Sequence, residues 1–76
     1  MLSDQEILCQ VGRNLQRVRT DKGWSVQALS VLSNVDESLI SEIESGNMNF
    51  QLSTIFALAA ELNVDFRRIL VDNIDQ

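Results

Sequence analysis

The sequence predicts a small all-α domain: a compact five-helix bundle with a helix-turn-helix at its centre. Three observations carry that reading. Apolar residues recur at spacings of three and four along most of the chain, and no stretch alternates apolar and polar long enough for a strand. Cap and stop residues punctuate the chain at short intervals. Apolar residues make up 45% of the 76 and charged residues 22%, too apolar for disorder and of a length for one domain, 1–76.

Each helix has its own signals. Ser3 followed by Glu6 is a capping box that starts the first helix. Leu8, Val11, Leu15 and Val18 then form one apolar stripe, and Lys22-Gly23 ends it with a cation and a left-handed stop. Ser25 caps a second helix carrying Val26, Leu29 and Leu32 as its apolar face, stopped at Ser33-Asn34. Asp36 caps a third with Ile40 and Ile43 on one face, closed by Ser45-Gly46-Asn47. Leu52, Ile55, Phe56, Ala59 and Leu62 give a fourth amphipathic stretch, ended near Asn63. Asp65 caps a short fifth helix with Ile69 and Leu70 inward, fraying toward Gln76. The tight Asn34-Val35-Asp36 link between helices two and three suits a helix-turn-helix.

Composition removes several functions. One Cys excludes a disulfide framework and a Cys-rich zinc site, and the absence of His removes the commonest general base and metal ligand. No apolar run is long enough to span a membrane, and the start of the chain is acidic (Asp4, Glu6), unlike a secretory signal. A single thiol and no export signal point to a reducing, cytoplasmic setting. No nucleophile has a base partner, so an enzyme is not expected, and neither is a cofactor. The net charge of −5 is unevenly spread. Residues 11–71 hold all six basic residues against seven acids, and Arg13, Arg17, Arg19 and Lys22 cluster within ten positions. Residues 72–76 form an acidic tail.

The run Val11-Gly12, Leu15, Arg19, Gly23-Trp24-Ser25, Leu29, Asn34-Val35, Ile40-Ser41, Ile43-Glu44, Gly46, Leu52, Leu58-Ala59, Leu62, Val64 and Ile69-Leu70 resembles the Cro/cI-type helix-turn-helix family, also called the Xre family. The match covers about residues 11–71, and residues 1–10 lengthen helix one. The size of the domain, with Asn47 and Asn49 after helix three, is also similar to the small controller proteins of restriction–modification systems. The resemblance implies a sequence-specific DNA-binding regulator, a repressor or autoregulator, whose third helix enters the major groove. It further implies a two-fold homodimer on a palindromic operator in double-stranded DNA. No membrane and no small-molecule ligand are expected.

Carried over by position, the groove-facing residues are Asp36, Glu37, Ser38, Leu39, Ser41 and Glu42. Asp36 is first a helix cap, and Leu39 stands between groove contact and packing. A carboxylate has no donor and accepts chiefly from cytosine N4, whereas Ser38 donates or accepts and Leu39 meets a thymine methyl. The resemblance assigns phosphate contacts to Ser25 and Gln27 at the head of helix two and to Asn47 and Asn49 after helix three. Val26 replaces a Gln found in many relatives. Arg13 and Arg17 either add phosphate contacts or form a solvated face.

Arg19 and Glu44 match family positions that form a partly buried ion pair between helices one and three. Cys9 and Trp24 read as packing residues. The resemblance builds the dimer surface around Phe66, Arg67, Arg68, Val71 and Ile74, with Leu2 and Ile7 as additions from the extended first helix. The acidic face of helix three keeps a rival open: a protein-interaction module, an anti-repressor or antitoxin-like partner on the same fold.

Overall fold

The computed structural model describes residues 3–47 and 49–71, which form five helices and no strand. In chain order these are α1 (Asp4–Asp21), α2 (Val26–Ser33), α3 (Glu37–Ser45), α4 (Leu52–Leu62) and α5 (Arg67–Leu70). The expected caps are in place. Ser3 and Glu6 close a reciprocal capping box, at 3.1 Å to the Glu6 N–H and 2.9 Å from the Ser3 N–H. The Ser25 hydroxyl accepts from the Ala28 N–H at 3.0 Å and an Asp36 oxygen from the Ser38 N–H at 3.4 Å. Asn34, Gly46 and Asn63 end α2, α3 and α4 in the left-handed conformation. Asp65 accepts from the Arg67 N–H at 3.0 Å, so it caps α5 from two residues before its first helical position.

The core is a single cluster. Leu15, Leu29, Ile40, Ile43, Ile55, Leu58, Leu62 and Ile69 are fully buried. α1 packs against α3 and α5, and α2 against α3 and α4. At the α1–α3 seam a methyl group on Gly12 would clash with the Ile43 carbonyl oxygen, so only glycine lets the helices approach this closely. Further along α1, Asn14 is buried and donates to the Ile69 carbonyl at 3.0 Å, tying α1 to α5.

Three apolar positions differ from the sequence reading. Leu32 is 54% exposed, not on the inner face of α2. Val26, Leu29 and Leu32 are spaced three and three, and each step of three falls about 60° short of a full turn. The row therefore winds off the core after Leu29. Leu52 and Phe56 are 50% and 43% exposed, because Ile55, Leu58, Ala59 and Leu62 already fill the inner stripe of α4. Leu52 and Phe56, four residues apart, lie on a second row beside it.

The helix-turn-helix link is held by serines. Ser33 Oγ donates to the Leu29 carbonyl at 2.6 Å and accepts from the Val35 N–H at 3.3 Å. Ser30 Oγ donates to the Val35 carbonyl at 2.6 Å. These bonds satisfy backbone groups that a three-residue turn leaves unpaired and fix the angle at which α3 leaves α2.

A candidate nucleic-acid interface on helices two and three

Ile40 and Ile43 anchor α3 to the core, which turns Glu37, Ser38, Ser41 and Glu42 outward, all exposed. They share a shallow, open concavity of about 550 Å³ with Arg19, Ser25, Val26 and Gln27. The head of α2 and the outer face of α3 thus form one surface. Its donors include the first N–H groups of α2, which have no partner within the helix, and its acceptors are the carboxylates and hydroxyls of α3.

Arg19 is the one cation among the lining residues, and the fold holds it. Its Nε and Nη2 donate to the two Glu44 oxygens at 2.7 and 2.9 Å, and Nη1 donates to the Trp24 carbonyl at 2.7 Å. Both side chains of the pair are about nine-tenths buried, at 10% and 7% exposure. The hydrogen bonds to Glu44 raise the Arg19 pKa above its ordinary value, against the opposing effect of burial. The pair joins α1 to the end of α3.

The remaining candidates divide. Ser25 Oγ is engaged in capping, leaving its neighbouring backbone to face the concavity. Leu39 is half-buried against the core and does not line the concavity. Asn47 is exposed beyond the end of α3. Asn49 accepts from the Phe50 N–H at 3.1 Å and lines a separate depression with Asp4, Ile7, Leu8 and Phe50. Arg13 and Arg17 lie with Gln16 and Thr20 on another face of α1, sharing no residue with the α2–α3 concavity.

At the α4–α5 corner Phe66 is half-buried and meets Phe56 edge-on, with ring centres 4.6 Å apart. Arg67 pairs with Asp65 at 2.9 Å, Arg68 is exposed and Val71 is 52% exposed. Ile74 and Leu2 lie outside the described residues. Cys9 is half-buried against the C-cap of α3, where a methyl group on Gly46 would approach its sulfur to 2.8 Å. Gln5 donates to the Gly46 carbonyl at 2.9 Å. The sequence reading did not anticipate the serine bonds of the turn, the Asn14 tie or the Gln5 contact. Only the serines carry a sequence signal, as small polar residues near a helix end. Among the described residues no group of three His, Cys, Asp or Glu side chains is placed to hold a metal ion, and no helix is long and apolar enough to cross a membrane.

Five helices with a serine-braced turn and an exposed third helix define a helix-turn-helix domain. The chain belongs to the helix-turn-helix family HTH_3, whose model matches residues 15–69. The family is one of DNA-binding transcription regulators. The chain is 35% identical to the restriction-modification controller protein C.AhdI from Aeromonas hydrophila, covering 82% of this chain and 94% of that one with a TM-score of 0.79. The crystal structure of the hypothetical transcription factor NHTF from Neisseria superposes with a TM-score of 0.84 at 27% identity, over 99% of this chain and 86% of that one. In sequence the chain is 31% identical over 67 residues to the competence pilus inhibition repressor of Acinetobacter baylyi, covering 86% of this chain and 61% of that protein. It spans under two thirds of the curated relatives it matches, at 64% and 61% of their lengths.

Proposed function

We propose that this chain is a sequence-specific transcriptional regulator, a repressor or autoregulator, that inserts α3 into the major groove as a two-fold homodimer on a palindromic operator. The observation that carries the reading is the single concave face shared by the head of α2 and by Glu37, Ser38, Ser41 and Glu42 of α3. A helix presented this way matches the groove, and the adjoining N-terminus of α2 faces a phosphate with backbone N–H groups. The exposed apolar residues at the α4–α5 corner, Phe56 and Val71, support a second copy as the dimer partner. The names of the relatives, a controller, a transcription factor and a repressor, support the regulatory role.

Selection of duplexes from a random pool tests the reading. The expected result is a two-fold motif with half-sites about 10 base pairs apart, centre to centre. With one cation on the concave face, log affinity should fall gently with log salt, with a slope of magnitude about 1 or less per protomer. Absence of any sequence preference at low salt overturns the proposal. Glu37 and Glu42 favour the second reading, a protein-interaction module. In that case Glu37→Gln with Glu42→Gln abolishes binding of a protein partner, and neither form selects DNA.

A further inference from the structure

We infer that α3 reads exocyclic amino groups on the major-groove edges of bases, cytosine N4 foremost, with Glu37 and Glu42 as the acceptors. The inference rests on the DNA-binding reading above and names what that surface recognises.

The argument begins with which hydrogen-bond partners the face can supply. The commonest specific contact in the major groove is Arg or Lys donating to guanine O6 and N7. No residue of α3 can make it, since the helix contains neither Arg nor Lys. Arg19, the cation that lines the same concavity, is turned to Glu44 and to the Trp24 carbonyl by three hydrogen bonds. On the concave face α3 offers instead two carboxylates and two hydroxyls, all exposed.

An ionised carboxylate only accepts. Brought into the groove without a donor opposite, it would lose its water and gain nothing, with phosphates repelling it on both sides. The major groove has two donors, cytosine N4 and adenine N6. Adenine N6 sits beside N7, an acceptor that repels the second carboxylate oxygen, whereas cytosine N4 has no acceptor between it and C5. Cytosine is therefore the better match. Ser38 and Ser41 donate or accept and so tolerate either neighbour. Glu37 and Glu42 are separated along the helix by about 7.5 Å. That span corresponds to about two base steps of DNA.

The test uses the full chain and the duplex it selects. N4-methylcytosine places a methyl group where the major-groove amino hydrogen stood and leaves the pairing hydrogen in place. 5-Methylcytosine keeps both amino hydrogens. Each is substituted in turn at the selected cytosines. We expect N4-methylation at a contacted cytosine to weaken binding about tenfold or more. The 5-methyl duplex should lose much less. Glu42→Gln or Glu37→Gln should remove the N4-methyl sensitivity at one position and relax its preference for cytosine. Because both residues are exposed, the urea midpoint of these variants should stay at that of the parent. Equal affinity for the N4-methylated duplex overturns the inference while leaving the regulator reading intact, as does an unchanged base preference in both variants. A chain that selects no sequence at all overturns both together.

Discussion

Removal of Glu44 should cost this domain a large share of its stability. In Glu44→Ala, Arg19 keeps its bond to the Trp24 carbonyl but loses both bonds to the carboxylate while remaining about nine-tenths buried. An unpaired charge in that position costs about 3–5 kcal/mol. A domain of this size has a total stability of about 4–11 kcal/mol. The variant should therefore melt at least about 12 °C lower. Urea unfolding followed by far-ultraviolet circular dichroism measures the loss at equilibrium, at fixed protein concentration because dimerisation would add to apparent stability. The paired variant Arg19→Met with Glu44→Leu removes both charges and should recover most of the loss, giving a coupling of at least about 2 kcal/mol in the double-mutant cycle. A single-variant cost below about 1 kcal/mol, the range of solvent-exposed pairs, would refute the claim that the fold shields this pair.

Gly12→Ala should destabilise by about 3 kcal/mol or more, since the obstructing atom is the Ile43 backbone oxygen and cannot rotate away; a urea midpoint close to the parent's would show that α1 and α3 separate easily. The pH dependence has a defined sign. Hydrogen bonds from the Arg67 side chain and backbone N–H hold Asp65 down at about 2, below its ordinary 3.8. Its contribution is therefore fully present above about pH 4 and disappears as the pH falls from there toward 2. The pair is exposed, so the effect is small and shrinks in salt. Subtracting the acid titration of Asp65→Asn from that of the parent isolates it, and parallel curves would show that the pair contributes nothing.

Much of the fold can be read before any coordinate is known, because it is written in local chemistry. Ser3 with Glu6, Ser25, Asp36, Asn34, Gly46 and Asn63 act within four residues of themselves, so their types alone announce helix ends. Position within a helix is harder to read. Leu32, Leu52 and Phe56 carry the same apolar signal as Leu29 or Ile55, and only the curvature of the core surface decides which of them it covers. Asn14 was illegible for another reason. Its partner is a backbone carbonyl 55 residues away, and every residue type has such a carbonyl. At the concave face, the outward placement of Glu37, Ser38, Ser41 and Glu42 followed from Ile40 and Ile43 by helical geometry, whereas the restraint on Arg19 by the Trp24 carbonyl needed the tertiary structure.

The seating of Cys9 against Gly46 gives the protein a built-in reporter. The chain contains a single cysteine, so a thiol reagent labels one place, and that place is the joint between α1 and the end of α3. With Cys9 half-buried, opening of that joint raises its modification rate above a basal value, and binding that clamps α3 should slow the reaction toward that value. A small alkylating reagent thus times the opening of the α1–α3 joint without a spectroscopic label being added.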